Sequence, residues 1–558
     1  MNCTGAQAVM KCLELEGITH VFGVPGEQVL DLVDATYDST LIEFVSARHE
    51  GGASFMAEAF GKTTGKPAVC IATAGVGASQ LTIGIHTAKQ DSTPMLVIIG
   101  QVNSKHRGRE AWQEIDIASF FSHIAKYTVE INDASRIPEI MNLAISYSKA
   151  GRPGPVVVSI PEDILAERSD FTFFTPKKAL KPGLGEDEAS TIISFLNCSK
   201  RPLIIAGGGI VLSDGREELV KFSELSGIPV MSAFRRHDCF PNDHAHYLGN
   251  MGLGTFPEIL ETIKEADLIF AIGTRLSEIT TQKYTFPAAE QMVIHIDIDH
   301  SVLLNQPFSA DLSYQADAKK ALQALNQFFY DELINHRIID RWVKNCKYRF
   351  RSVLSERKEQ RRKETTVSFS MEKMIDDLHE ILPADSIITS DAGTFYTWFT
   401  NYFLFKGTQR YLGPTSGTMG YGLPSGLAAK MVYPDRPVIT LSGDGGFMMT
   451  LQEFETAVRY NLSIISLVFN NQAYGAIRLH QERRFPNRLV GSDLGNPPFD
   501  ELGVLFGGYG CKVRNNDEFK IVMDKALRNR KPTIIEIPLE LKTISASSLL
   551  YKGSNELT

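Results

Sequence analysis

Apolar residues fall along this chain in two alternating rhythms. Short unbroken runs such as Ala68-Val69-Cys70-Ile71-Ala72, Met95-Leu96-Val97-Ile98-Ile99 and Pro155-Val156-Val157-Val158-Ser159-Ile160-Pro161 have the length and β-branched content of strands buried on both faces. Between them lie stretches of helical spacing, the first from Ala6 to Glu16, ahead of a strand beginning at Val21-Phe22. Strands alternating with helices predict an α/β fold built on doubly wound parallel sheets. The alternation restarts twice. Arg201 to Ile205, Ala266 to Gly273 and Val293 to Asp297 supply strands of a second unit, and Ile464 to Phe469 belongs to a third. Three such domains are predicted, at 1–165, 187–335 and 368–540. Leu165 to Glu186, with Pro176, Pro182 and several lysines, reads as a linker, and 541–558 as a polar tail or flap. Lys347 to Lys363 is basic but carries interleaved glutamates, which predicts a solvated connecting helix rather than a nucleic-acid-binding tract.

Composition narrows the function classes. At 558 residues, 43% hydrophobic and 22% charged, the chain has the make-up of a soluble globular protein. A net charge of −8 offers no general attraction for nucleic acid or an anionic membrane. The seven cysteines form no C-x-x-C pair, which argues against zinc, thioredoxin-type redox chemistry and a disulfide framework. No apolar run reaches the roughly 18 residues of a membrane span. The first residues lack the charged-then-apolar pattern of a secretory signal. A cytoplasmic location is expected.

The most informative chemistry is a pair of turns. Asp444 stands in Gly443-Asp444-Gly445-Gly446, and Asn471 follows 27 positions later, closing the run Ile464 to Phe469. Between them, Leu451 to Tyr460 has helical spacing. Strand, acidic glycine-rich turn, helix, strand, amide-bearing turn would bring one carboxylate and one amide oxygen to the same sheet edge, where open α/β sheets bind ligands. The glycines admit close approach of a diphosphate, and a helix N-terminus favours its charge. Few protein charges and hard oxygen donors suit Mg²⁺. Each turn alone is more often structural; the spacing, with these elements between, points to a diphosphate–metal site.

That pattern resembles the thiamine-diphosphate (ThDP) enzymes, and most closely acetolactate synthase and its relatives. The resemblance spans almost the whole chain. It rests on Phe22-Gly23-Val24-Pro25-Gly26, Arg48-His49-Glu50, Ile71-Ala72-Thr73-Ala74-Gly75-Val76-Gly77-Ala78, Ile99-Gly100-Gln101-Val102 and Gly417-Thr418-Met419-Gly420-Tyr421-Gly422-Leu423-Pro424, together with the Asp444 and Asn471 turns. The resemblance implies pyrimidine-binding, central and diphosphate-binding domains. It implies that Glu50 hydrogen-bonds the aminopyrimidine N1′, so that the 4′-nitrogen takes the thiazolium C2 proton. Met419 would be the apolar wedge that folds the coenzyme into a V. Asp444, Asn471 and the Ala473 carbonyl would hold Mg²⁺. Pro25, Gly26, Thr73, Gly393, Gly417, Gly443, Gly445, Gly446 and Gly475 would line the coenzyme. The family's active sites lie between subunits, so a homodimer or homotetramer is implied. The implied activity is decarboxylation of a 2-oxo acid of the pyruvate type, followed by transfer of the remaining unit to a second carbonyl compound.

Several positions depart from the synthase pattern. Gly393-Thr394-Phe395 replaces the commoner Gly-Gln-His, so only the Gly393 backbone role carries over. Ala111-Trp112-Gln113-Glu114 resembles Ala-Phe-Gln-Glu, which makes Gln113 a candidate hydrogen-bond donor and Lys126 a candidate pocket cation. Ala476 replaces a larger Met, and His480 stands where synthases carry a Trp. Ala206-Gly207-Gly208-Gly209-Ile210 suggests a nucleotide, but it lacks the full G-x-G-x-x-G spacing. Arg275-Leu276-Ser277-Glu278 keeps the arginine of the flavin segment and loses its acidic pair, so FAD is the less favoured expectation. Asp297 and Asp299 read as strand-end caps rather than as a metal cluster, and His86 as structural. The alternatives are a simple decarboxylase or aldehyde lyase, an FAD-linked pyruvate oxidase, and, from another class, a non-catalytic family member. No His-His dipeptide of the pyruvate decarboxylase kind occurs.

Overall fold

A computed structural model describes residues 1–304, 307–328, 336–364, 369–541 and 545–546. Most of the tail read at 541–558, and the domain edges drawn at 335 and 368, lie outside the described residues. The chain builds three six-stranded sheets, every pairing parallel, and one two-stranded antiparallel ribbon between Asn2–Thr4 and Arg168–Asp170. Uniformly apolar strands require cover on both faces, and helices supply it.

The first and third sheets share one topology. Across the first, the order is Glu43–Ser46, His20–Gly23, Ala68–Thr73, Met95–Gln101, Pro155–Pro161, Tyr127–Glu130. Across the third it is Arg410–Leu412, Ile387–Ser390, Val438–Gly443, Ile464–Asn470, Thr533–Pro538, Tyr509–Lys512. Numbered within each sheet, both run 2-1-3-4-6-5. The chain therefore reverses its direction of travel between the first and third strands, and a crevice opens there at the carboxyl ends. The central sheet runs Tyr247–Asn250, Val230–Ser232, Pro202–Ala206, Leu268–Ile272, Met292–Asp297, Leu312–Gln315, or 3-2-1-4-5-6, the order of dinucleotide-binding domains. The basic segment at 347–363 lies in one long helix, His336–Glu364.

The outer two domains pack through the helices Glu50–Thr64 and Gly422–Val432. Gly51 to Lys62 are all buried. A helix enclosed all round is apolar or internally paired, and here the pairing is a buried ion cluster. The Lys62 Nζ lies 3.0 Å from Glu58 Oε1 and 3.0 Å from Asp91 Oδ2, and donates to the Tyr421 hydroxyl at 3.0 Å. Asp91 also meets Arg236 of the central domain at 2.6 Å and accepts from the Thr415 N–H at 3.2 Å. Burial alone would push the Asp91 carboxyl up, but Lys62 and Arg236 outweigh it and hold the group below its ordinary value. One carboxylate thus joins all three domains.

Candidate active site

The carboxyl edge of the third sheet opens into a cavity of about 250 Å³. Gly393, Gly417, Met419, Gly443, Asp444, Gly445, Gly446, Asn471, Ala473 and Gly475 all line it, together with Ala392, Thr394, Phe395 and Leu539. Local sequence explains why they converge. Val438–Gly443 ends at Gly443, which N-caps the helix Asp444–Thr450, so Asp444 sits in that helix's first turn. Ile464–Asn470 delivers Asn471, whose Oδ1 accepts the Ala473 N–H at 3.1 Å and shapes the turn. Gly417 and Gly420 have φ of +74° and +77°, a region costly for side-chain-bearing residues, and they place Met419 between them.

Asp444 is 2% exposed. It accepts the Gly445 N–H at 3.0 Å and the Asn496 amide at 2.8 Å. Burial pushes its carboxyl upward against those bonds, and among the described residues no cationic side chain pairs with it. A buried carboxylate without a counter-charge is unfavourable. A bound cation answers this, and the oxygens of Asp444, Asn471 and Ala473 are the hard donors that Mg²⁺ takes. The glycines leave the room a diphosphate needs: a Cβ on Gly445 would lie 2.6 Å from the Tyr474 ring. The donor set and the space therefore fit a metal-bound diphosphate.

A buried carboxylate supports the cavity from below. Asp391 accepts the Gly422 N–H at 2.5 Å, and burial raises its pKa to about 6. Arg235 of the central domain, with φ of +55°, reaches across to the Asp391 carbonyl at 3.1 Å, Ser390 Oγ at 3.1 Å and the Tyr411 hydroxyl at 3.0 Å. The remaining walls are apolar, and Phe395 stacks on Phe469 with ring centroids 5.0 Å apart.

The N-terminal candidates gather elsewhere, at the crevice of the first sheet. Pro25 and Gly26 follow its first strand, and Thr73 ends its third. A Cβ on Gly26 would meet Thr73 at 2.7 Å, and one on Gly77 would meet Glu50 Oε1 and Thr73 Cγ2 at 3.2 Å each. Glu50 opens its helix behind the His49 cap. Gln113, at φ +68°, accepts the Gly75 N–H at 2.8 Å through its carbonyl, while its buried Oε1 has no partner. None of these five lines the Asp444 cavity. The candidates of one chain thus fall at two separate crevices. Large apolar side chains stand exposed beside each: Val76 near the first, Met448, Met449 and Ile477 near the second.

Other expectations resolve differently. Lys126 is no pocket cation: its Nζ donates to the Tyr147, Ala150 and Arg152 carbonyls at 2.6–2.8 Å, and burial lowers its pKa to about 8. The capping reading of Asp297 and Asp299 holds: Asp299 caps the helix His300–Leu304 through Ser301 N, and Asp297 accepts from Asp299 N. Leu451 to Tyr460 holds one helix, Glu453–Arg459, as its spacing predicts, and a separate short helix, Asp444–Thr450, comes before it. Sequence reasoning missed Asp391, Glu453, Tyr474 and Leu539. Nothing local marked Glu453, which stands between Gln452 and Glu455 in a mixed stretch, or Leu539. A second cavity, of about 410 Å³, lies at the central sheet's crevice, lined by Gly208, Gly209, Gly273, Arg275 and Asp297.

Comparison with known proteins agrees with this geometry. Residues 3–120 match the family description "Thiamine pyrophosphate enzyme, N-terminal TPP binding domain", 189–325 its central domain and 391–537 its C-terminal TPP binding domain. The chain belongs to the thiamine pyrophosphate enzymes, and it is of the acetolactate synthase kind. It is 32% identical to the "Probable acetolactate synthase large subunit" of Methanocaldococcus jannaschii, over 96% of this chain and 92% of that protein. It is 32% identical to the acetolactate synthase large subunit of Buchnera aphidicola subsp. Schizaphis graminum, over 94% and 92%. To the isozyme 3 large subunit of Escherichia coli K12 it is 29% identical, over 96% and 95%. No described helix is long and apolar enough to cross a membrane.

Proposed function

We propose that the protein is a ThDP- and Mg²⁺-dependent carboligase that decarboxylates a pyruvate-type 2-oxo acid and joins the remaining unit to a second carbonyl compound. The observation that carries this reading is the single cavity lined by every C-terminal candidate, around a buried and uncompensated Asp444. Asp444, Asn471 and the Ala473 carbonyl would hold Mg²⁺, and the glycines of that cavity would take the diphosphate. Bound there, the coenzyme supplies a carbon nucleophile and an electron sink. Met419, on the wall of that cavity, would be the apolar wedge against the coenzyme. Glu50 would hold a proton at the aminopyrimidine, Pro25, Gly26 and Thr73 would line that ring, and Gln113, whose buried Oε1 has no partner, would face substrate. The apolar walls of the cavity would limit water beside the bound coenzyme.

The two half-sites of one chain face different crevices, and exposed apolar side chains flank both. This supports a homodimer, or a homotetramer built from it, in which Glu50 of one protomer meets Asp444 of its partner. The test is incubation of the protein with ThDP, Mg²⁺ and a panel of 2-oxo acids, with CO₂ and carbonyl products followed by mass spectrometry. Acetolactate-type products support the reading, and simple aldehydes point to a decarboxylase. The cavity at the central sheet's crevice favours one further reading, a flavin-linked oxidase. A yellow protein that releases FAD and makes peroxide would establish it.

A further inference from the structure

We infer that Glu453, on the diphosphate-binding domain, is a positioning residue for Glu50 of the same chain. The inference rests on the role proposed above for Glu50. Glu453 is fully buried, and its two carboxylate oxygens accept the Arg48 N–H at 3.2 Å each. The His49 N–H is a further donor, and Thr456 Oγ1 donates at 2.8 Å. Arg48 and His49 are the two residues that lead into Glu50, and His49 is the cap of its helix. The carboxylate therefore satisfies backbone groups at the point where the chain turns to present Glu50. Gly52, in the helix's first turn, leaves space for it; a Cβ there would lie 2.4 Å from Glu453 Oε1.

The rest of the helix Glu453–Arg459 and the residue after it grip the same segment. The Tyr460 hydroxyl accepts the Ser46 N–H at 2.9 Å, Arg459 donates to the Ser46 carbonyl at 2.6 Å, and Glu455 lies 3.9 Å from the Arg48 guanidinium. The N-terminal domain alone leaves the Arg48 and His49 N–H groups without these acceptors. Charge-assisted bonds to backbone donors are the strong kind, and a catalytic side chain held by such bonds keeps its aim.

The experiment compares Glu453→Ala and Glu453→Gln with the parent and with Glu50→Gln. Two readouts are taken: amide hydrogen exchange of residues 47–52 in cofactor-free protein, and proton exchange at C2 of bound ThDP in quenched-flow NMR. Glu453→Ala is expected to speed amide exchange in that segment and to slow C2 exchange, each by at least about tenfold, with ThDP affinity kept within about fivefold. Glu453→Gln, which retains an acceptor, is expected to recover most of both. If the alanine variant does not fold, the glutamine variant still decides, through a smaller change of the same sign in both readouts. Parent-like C2 exchange in folded Glu453→Ala, or, where that variant does not fold, in Glu453→Gln, beside a slowed Glu50→Gln, overturns this inference alone. Parent-like exchange in Glu50→Gln overturns the underlying reading with it.

Discussion

Substituting Gly52 by alanine tests the packing beneath Glu50 most directly. Alanine in a helix interior is favoured over glycine by about 0.5–1 kcal/mol. That gain applies equally at Gly51 and Gly52, both in the first turn of Glu50–Thr64. Their surroundings differ. A Cβ on Gly51 would meet the His49 ring at 3.0 and 3.3 Å, and this partly buried ring, held among the described residues only by the Gly51 N–H on its Nδ1, need give by only a few tenths of an ångström. A Cβ on Gly52 would lie 2.4, 2.6 and 2.8 Å from Glu453 Oε1, Cδ and Cγ. Glu453 cannot swing away, because its oxygens are bound to Arg48 N and Thr456 Oγ1. Overpacking of this kind costs about 1–3 kcal/mol. Gly51→Ala should therefore melt at or slightly above the parent. Gly52→Ala should fall below Gly51→Ala by that 1–3 kcal/mol, about 2–4 °C per kcal/mol for a domain of this size. The displaced helix start also shifts Glu50, and a misplacement near 1 Å lowers turnover by about a hundredfold. Thermal unfolding of the cofactor-free proteins and turnover of the loaded ones read the two effects separately. Equal melting and equal turnover for the two alanine variants would refute the reasoning.

Met419→Leu should keep turnover within about tenfold and Met419→Ala should lose about a hundredfold, with ThDP affinity much less affected, because wedge volume rather than sulfur chemistry sets the ring geometry; steady-state kinetics and a ThDP titration decide. Lys62→Met leaves Glu58 and Asp91 buried without their shared cation and should destabilise by about 3–5 kcal/mol, which Lys62→Met with Glu58→Gln should partly restore in urea unfolding. His237 is buried beside Arg235 and Arg236, and burial first, then those charges, lower its pKa to about 3, while its Nε2 has no partner. Its neutral form is the folded one, so the unfolded chain binds the extra proton below pH 6.5 and stability falls with pH from there towards 3. At pH 5 this amounts to about 2 kcal/mol. His237→Phe should match the parent at pH 8 and exceed it at pH 5, as measured by urea unfolding at both.

Much of this was legible in the sequence, for physical reasons. Pro155–Pro161 and Met95–Gln101 announced themselves because strands covered on both faces are apolar throughout. Asp444 and Asn471 could be paired because a parallel crossover of fixed length returns adjacent strands to one edge. What stayed hidden depends on contacts between distant segments. Arg48 and Glu453 are 405 positions apart, and no local pattern ties a backbone N–H to a carboxylate at that range. Lys126 misled for the same reason, since the three carbonyls that occupy it come from residues 21 to 26 positions later. The short helix Asp444–Thr450 stayed hidden because its glycine-rich start reads as a turn.

The all-round enclosure of Glu50–Thr64 bears on any attempt to cut the protein into parts. The helix is nominally the property of the first domain, yet Gly422–Val432 from the last packs along it more than any other single element. A fragment ending near residue 165 would present Phe55, Ala59 and their neighbours to water and leave Arg48 and His49 searching for acceptors. Transplanting or expressing the pyrimidine-side domain by itself would call for a redesigned outer surface on that one helix, however self-contained its sheet looks.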